Sequence, residues 1–130
     1  MEDLICLDTD IIIDHLKGKG PGVEIFERII KKGNPLTTQI TRFELLCGAI
    51  DNRENKIIED CLFGFRVLSF DKDSSLIAAG LYRELKKKGQ FIGIRDIMIG
   101  GIALANNLKL ATKNISEFRR IKGLRIIEFS

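Results

Sequence analysis

The sequence has 130 residues, of which 45% are hydrophobic and 30% charged, and its formal net charge is +3. This length suits one domain, predicted to span residues 1–130, with enough chain to bury a core. The composition excludes disordered and collagen-like chains, and no apolar run is long enough to predict a membrane-spanning helix.

Strand-like and helix-like segments alternate along the chain. In the first half, the hydrophobic pattern predicts a strand at 4–7, a helix from 9 to a break at 18–22, a helix at 23–32, a strand at 36–40, and helices at 41–50 and 54–63. In the second half, it predicts a strand at 66–70, a helix capped at 73–75 and closed at 86–89, and a helix at 95–106. A strand at 108–112, a short turn or helix at 117–118 and a strand at 124–129 follow. This alternation predicts an α/β fold, a three-layer α/β/α sandwich with a central, mainly parallel β-sheet.

Acidic side chains follow or interrupt the most apolar segments. Asp8 directly follows the first predicted strand, Glu44 interrupts an apolar helical segment, and Asp96 precedes an apolar helix rich in glycine. Asn114 and Glu117 follow the fourth predicted strand. Because ligand sites of parallel sheets lie beyond the carboxyl ends of the strands, we expect these side chains to share one pocket.

The chemistry that suits such a pocket is the binding of a hard cation. Mg²⁺ and Mn²⁺ take oxygen ligands and keep several waters, so a few carboxylates suffice. His15 is the only histidine, which excludes a site with two histidine ligands, and no Ser/His/Asp set is apparent. The three cysteines lie at wide spacings that form neither a metal pattern nor a disulfide framework, and they predict a cytoplasmic protein.

Each acid also has a local interpretation that involves no ligand. Asp8 fits a helix N-cap, the segment from Thr41 to Glu44 has the form of a capping box, and Asp96 fits the first turn of a helix. Glu117 fits a solvated surface. Capping does not explain why three acids interrupt apolar segments, where a lone charge is costly.

Three segments together resemble the PIN domain family, in particular toxins of the VapC type. They are LDTDIIIDHLKG, the motif Thr-x-x-Glu-Leu that ends at Leu45, and IGIRDIMIGGIALANNLKLATKN with the ISEF segment after it. The resemblance covers almost the whole chain. It implies a ribonuclease that depends on Mg²⁺ or Mn²⁺, forms a homodimer and is inhibited by a cognate VapB-type antitoxin, with DNA contacted only through that antitoxin.

The resemblance also implies roles for individual residues. Asp8, Glu44 and Asp96 match the family acids that hold the metal and carry catalysis. The fourth position is less fixed, because Glu117 matches its acid and Asn114 its polar residue.

Two hydroxyl residues complete the expected site. Thr9 matches the hydroxyl residue that neighbours the first acid, and Thr112 matches the hydroxyl at the end of the following strand. We expect both to support the carboxylates, as Asn114 does.

Basic residues concentrate toward the C-terminal end of the sequence. The candidate RNA contacts are Arg95, Lys113, Arg119 and Arg120. Arginine suits phosphate contacts, although a merely solvated surface is the alternative.

Two features depart from the family pattern. Arg95 places a cation beside Asp96, which would lower the pKa of that carboxyl or contact a phosphate. Gly100-Gly101 replaces the usual alanines, and it suggests a close helix approach such as a dimer contact.

Two rival interpretations use the same alternation of strands and helices. A receiver-like signalling domain would use Asp8 and Asp10 for metal, Asp71 as phosphoacceptor, and Thr112 with Lys113 as switch groups. A catalytically inert partner-binding module would use the acids only as helix caps.

Overall fold

Residues 4–128 of the computed structural model form five short strands and seven helices. The strands are β1 (Ile5–Leu7), β2 (Leu36–Thr38), β3 (Arg66–Leu68), β4 (Lys109–Ala111) and β5 (Arg125–Ile126). The helices are α1 (Thr9–Lys17), α2 (Gly22–Lys32), α3 (Gln39–Cys47), α4 (Asn52–Leu62), α5 (Lys72–Lys88), α6 (Ile94–Ala105) and α7 (Ile115–Phe118). Within the described range, no helix is long and apolar enough to cross a membrane. The predicted strand 124–129 is shortened to β5, and residue 129 lies outside the described residues.

The sheet has the strand order β3-β2-β1-β4-β5, and every strand pair in it is parallel. This confirms the predicted α/β sandwich with a mainly parallel sheet. The chain moves outward from β1 to β3 and then crosses to β4 on the other side of β1. Ligands of open parallel sheets bind beyond the carboxyl ends of the strands at such a reversal. The fold therefore directs attention to the ends of β1 and β4.

Helices cover both faces of the sheet, which explains the continuous apolar run in β1. Successive residues of a strand point to opposite faces. Cys6 packs into a core that includes Ile99 of α6 and Phe118 of α7. Leu7 packs into a second core with residues of α1 to α4, including Ile11. The two cores hold β1 rigidly, so the position of the residue that follows it is well determined.

The boundary between β2 and α3 differs from the prediction. Thr38 ends β2 and caps α3, because its Oγ1 accepts a hydrogen bond from the backbone N–H of Thr41 at 3.0 Å. The helix begins at Gln39, so the predicted strand 36–40 is two residues too long. The capping-box interpretation is also wrong, since Thr41 lies inside the helix and the Glu44 side chain has no capping role.

The ends of other helices follow their capping residues. Asp71 accepts a hydrogen bond from the backbone N–H of Ser74 at 2.9 Å, so α5 begins directly after it rather than after a cap at 73–75. Gly18 and Gly89 end α1 and α5 in the left-handed conformation, with φ of 68° and 65°, where the sequence predicts breaks.

Close packing of α5 against α6 depends on small residues. A Cβ atom on Gly101 would lie 2.8 Å from the Cβ of Ala78 and 2.8 Å from the carbonyl oxygen of Ser74. A Cβ on Gly100 would lie 2.6 Å from the Cδ1 of Ile121. Both glycines are buried within the chain, so the predicted close helix approach is confirmed inside the molecule rather than at a dimer contact. Their role is to let α6 approach its intramolecular neighbours.

Candidate metal centre

Asp8 lies at the carboxyl end of β1, beside Thr112 at the carboxyl end of β4. Leu7 and Ala111 are in register, and the backbone N–H of Asp8 donates to the Ala111 carbonyl at 2.9 Å. This pairing brings the next side chains together, and Thr112 Oγ1 donates to Asp8 Oδ2 at 2.7 Å. Asp8 also caps α1 by accepting from Thr9 N at 2.8 Å, as its local interpretation predicts, but only 5% of the residue is exposed.

A second carboxylate, Asp10, lies against the same strand end. Its Oδ2 accepts a hydrogen bond from the backbone N–H of Lys113 at 3.0 Å and lies 3.3 Å from Thr112 Oγ1. Its Oδ1 is buried without a hydrogen-bond partner, and burial raises the pKa of this carboxyl. The predicted set of metal ligands omits Asp10. An acid two residues after Asp8, in the first turn of the predicted helix, was the available signal.

Glu44 faces the start of α1. Thr9 Oγ1 donates to Glu44 Oε1 at 2.8 Å and lies 3.0 Å from Thr41 Oγ1. The other carboxylate oxygen, Oε2, lies 3.7 Å from a guanidinium nitrogen of Arg95. Two predicted site residues, Thr9 and Glu44, are therefore in direct contact. Thr41, which is completely buried, was not predicted as part of this hydrogen-bonded group.

Asp96, Asn114 and Glu117 form the third part of the pocket. Asn114 Nδ2 donates to Glu117 Oε2 at 3.2 Å and to Asp96 Oδ2 at 3.4 Å. The backbone N–H of Asn114 donates to Thr112 Oγ1 at 3.0 Å, which connects this group to Asp8. Both candidates for the fourth position thus lie beside Asp96.

Burial and mutual repulsion raise the pKa of the two central carboxyls. The pKa of Asp8 is raised to about 7, first by burial and then by the charge of Asp10. The pKa of Asp96 is raised to about 6, first by burial and then by the charge of Glu117. Arg95 does lower the pKa of Asp96, as expected, but burial and the neighbouring carboxylates outweigh its effect, so the net pKa is raised.

We expect the metal-free protein to lose stability as pH rises from about 4 to about 7. Asp8 and Asp96 keep their protons in the folded state up to a pKa of about 7 and about 6, whereas an unfolded aspartate titrates near about 3.9. Between these values the folded state binds more protons than the unfolded state, so stability is full at low pH and falls on deprotonation. Thermal unfolding in a chelator measures the slope. Asp8→Asn should flatten it, and an unchanged slope in that variant would contradict this account.

The donor chemistry of the pocket fits a hard cation. Four carboxylates act on Asp8 or Asp96 in this pocket, those of Asp10, Glu44, Glu117 and Asp96 itself, and Asp10 Oδ1 is buried without a partner. Within residues 4–128, however, no three His, Cys, Asp or Glu side chains lie where they could hold a metal ion together. A cation such as Mg²⁺ commonly binds through one or two carboxylates and keeps its other waters. The residues present fit that mode of binding.

The candidate RNA contacts Arg95, Arg119 and Arg120 are exposed, and Arg95 lies beside Glu44 of the pocket. Arg120 donates from Nη1 to the Phe91 carbonyl at 2.8 Å, which connects the chain after α7 to the segment before α6. The other candidates pair with carboxylates: Arg119 pairs with Glu128, and Lys113 Nζ donates to Asp14 Oδ2 at 2.8 Å.

The model of the PIN domain family matches residues 5–124. The match covers most of the sequence, and the chain belongs to the PIN domain family. Members of this family are nucleases, and PIN-domain ribonucleases in general depend on a metal ion. The predicted family assignment is confirmed.

The relatives of this chain within the family are VapC proteins. It is 28% identical to Ribonuclease VapC1 of Methanocaldococcus jannaschii, over 98% of this chain and 89% of the relative. It is 32% identical to the tRNA(fMet)-specific endonuclease VapC of Shigella flexneri, over 95% and 96%. Among solved structures, a chain of DNA-bound VapBC from Salmonella typhimurium superposes with a TM-score of 0.87 at 30% identity, over 97% and 98%.

The receiver-like alternative is excluded by the sheet as well as by the family. Receiver domains have the strand order 2-1-3-4-5, in which the third strand is next to the first. Here β2 separates β3 from β1, so Asp71 follows an edge strand away from Asp8. Asp71 also serves as the N-cap of α5.

Helix capping accounts for only one of the three central acids. Asp8 caps α1, whereas Glu44 lies inside α3 and contacts Thr9. Asp96 lies in the first turn of α6, where the helix dipole alone would lower its pKa, yet that pKa is raised. The acids therefore need an explanation beyond local helix structure.

Proposed function

We propose that this chain is a metal-dependent endoribonuclease that uses Mg²⁺ or Mn²⁺ and acts as the toxin of a VapBC-type toxin–antitoxin pair. The observation that supports it is the convergence of the predicted acids at the reversal between β1 and β4 in a PIN fold. The VapC relatives are a ribonuclease and an endonuclease by name, which supports the same conclusion.

In this proposal, Asp8 and Asp96 hold the cation, and Glu44 binds it directly or through water. When bound, the cation supplies neutralisation of the carboxylates, polarisation of the scissile phosphate and activation of water for attack. Glu44 also serves as the base in this proposal, with its carboxylate oriented by the hydrogen bond that Oε1 accepts from the Thr9 hydroxyl. Glu117 or Asn114 completes the set of ligands.

The supporting residues keep the acids in their geometry. Thr112 orients the Asp8 carboxylate, and Thr9 orients the Glu44 carboxylate. The phosphate backbone of RNA would approach the acidic pocket past Arg95 and Arg120, whose fixed charges suit phosphate contacts. Arg119 and Lys113 stay candidate RNA contacts by their charge, although each already pairs with a carboxylate, that of Glu128 and that of Asp14.

Cleavage of RNA by the purified chain tests the proposal. We expect internal cleavage of a structured RNA with Mg²⁺ or Mn²⁺ present, no cleavage after exhaustive chelation, and recovery when either ion is restored. Cleavage that survives chelation would contradict the metal mechanism. A folded chain that leaves a broad panel of RNAs intact with both ions present would favour the inert partner-binding module.

A cognate VapB-type antitoxin is the proposed partner, and homodimerisation and a cytoplasmic location belong to the same proposal. The solved VapBC complexes of similar chains support the partner. Beside Glu44, an apolar groove between α1, α3 and α4 offers a surface for it, lined by Ile13, Leu16, Leu45, Gly48, Ile57 and Ile58.

Co-expression with the product of a small open reading frame beside the gene tests this partnership. We expect the two proteins to purify as one complex in which RNA cleavage is lost, because the groove adjoins the acidic pocket. Full RNA cleavage by the purified complex would contradict an inhibitory partner.

A further inference from the structure

A lysine lies at the edge of the acidic pocket, and its ammonium is directed away from it. The backbone N–H of Lys113 donates to Asp10 Oδ2 at 3.0 Å, so this residue begins in contact with the acids. Its side chain instead follows α1 for one turn, where Nζ donates to Asp14 Oδ2 at 2.8 Å. Asp10 and Asp14 are four residues apart and lie on the same face of the helix.

The Asp14 carboxylate is held in place by its burial and its hydrogen bonds. Only 11% of its side chain is exposed, and its Oδ2 also accepts a hydrogen bond from the backbone N–H of Gly22, the first residue of α2. The hydrogen bond from Lys113 is the largest influence on the pKa of Asp14 and lowers it, which favours the charged carboxylate.

The acids of the pocket would otherwise attract this ammonium. Asp10 Oδ1 is buried and has no hydrogen-bond partner. Burial raises the pKa of Asp10, and the charge of Lys113 offsets part of that rise from its present position. An ammonium paired directly with Asp10 or Asp8 would neutralise the carboxylates that are proposed to attract a cation. A lysine tethered at the pocket edge is therefore an internal competitor for a metal ion.

We propose that Asp14 is a positioning residue that holds the Lys113 ammonium away from the acidic pocket and so preserves its affinity for a divalent cation. The inference rests on the proposed metal-dependent function and adds a residue outside the predicted site. The hydrogen bonds of the loop from residue 112 to 114 show that the Lys113 side chain has no part in holding the loop. That loop is already fixed through Thr112 Oγ1 and the backbone N–H of Lys113, so the lysine side chain is not needed to hold it.

Direct binding of Mn²⁺ to the original full chain and to four variants of it tests the inference. Titration calorimetry or the spectroscopic signal of free Mn²⁺ measures the affinity. We expect Asp14→Asn to weaken binding roughly tenfold, because the released ammonium competes with Mn²⁺. Lys113→Met should bind as tightly as the original chain or more tightly. The double variant should recover the affinity of Lys113→Met. Asp60→Asn, which breaks an exposed ion pair with Lys56 on α4, is the matched control and should leave binding unchanged.

The outcomes separate this inference from the function on which it rests. Asp14→Asn retains an acceptor for Gly22 N, and its melting temperature in chelator reports its fold. Unchanged binding in Asp14→Asn, or a double variant as weak as Asp14→Asn, would overturn the inference. If Asp14→Asn does not fold, Lys113→Met decides alone, because weaker binding there would mean that the ammonium assists the site. Mn²⁺ binding that is absent, or insensitive to Asp8→Ala, would overturn the proposed metal site as well.

Discussion

Replacement of Asp96 by asparagine is expected to reduce RNA cleavage at least about 100-fold at saturating metal and substrate. Asparagine keeps the size of the side chain and can still accept the hydrogen bond from Asn114. It removes the negative charge that would help to neutralise a cation, and a neutral amide is a poor substitute for a carboxylate ligand. The measurement is the initial rate of cleavage with Mn²⁺ and with Mg²⁺.

The fold of Asp96→Asn should stay intact, and its melting temperature without metal should equal or exceed that of the original chain. Burial and the charge of Glu117 oppose ionisation of Asp96, so loss of this charge relieves repulsion. Asp73→Asn is the matched control, because Asp73 also lies in the first turn of a helix but is exposed and distant from the pocket acids in sequence. Full cleavage by Asp96→Asn would overturn the proposed mechanism.

Replacement of Gly101 by alanine is expected to lower the free energy of unfolding by about 1–3 kcal/mol. The new methyl group would lie 2.8 Å from the Cβ of Ala78 and from the Ser74 carbonyl oxygen, well inside van der Waals contact. The backbone of α5 cannot yield as a flexible side chain would, so the two helices must move apart. Chemical denaturation at fixed pH measures the change.

Replacement of Gly80 by alanine, in the same pair of helices, is expected to have the opposite effect on the free energy of unfolding. Gly80 lies inside α5, where a Cβ would meet only the end of the Arg83 side chain at 4.0 Å. Alanine there should stabilise the protein by up to about 1 kcal/mol, because it favours helix without a clash. If Gly101→Ala were as stable as Gly80→Ala, close approach of α5 and α6 would not explain the glycine.

Several parts of the site followed from local patterns in the sequence. The apolar run before Asp8 predicted a buried strand with an acid at its end, and β1 has that form. Asp96 was identified because it precedes an apolar helix, and it lies in the first turn of α6. Such signals are readable because strand ends and helix starts depend on residues close in sequence.

The errors came from contacts that no local pattern encodes. Thr41 was interpreted as a cap because a glutamate follows three residues later, but Thr38 already caps α3 and the Glu44 side chain contacts Thr9 instead. Asp10 was omitted from the predicted metal ligands although it lies two residues after Asp8, because its contacts with Thr112 and Lys113 form only on folding.

The sequence by itself determined the alternation of elements, the acids and hydroxyls available for chemistry, and the resemblance to the PIN family. Tertiary structure decided which of these groups meet, because the residues that share the pocket are far apart in the chain. The Thr112 hydroxyl reaches Asp8 across 104 positions, and it does so because β1 and β4 are in parallel register. The same packing raised the pKa of the buried carboxyls, since burial and the closeness of like charges arise only on folding.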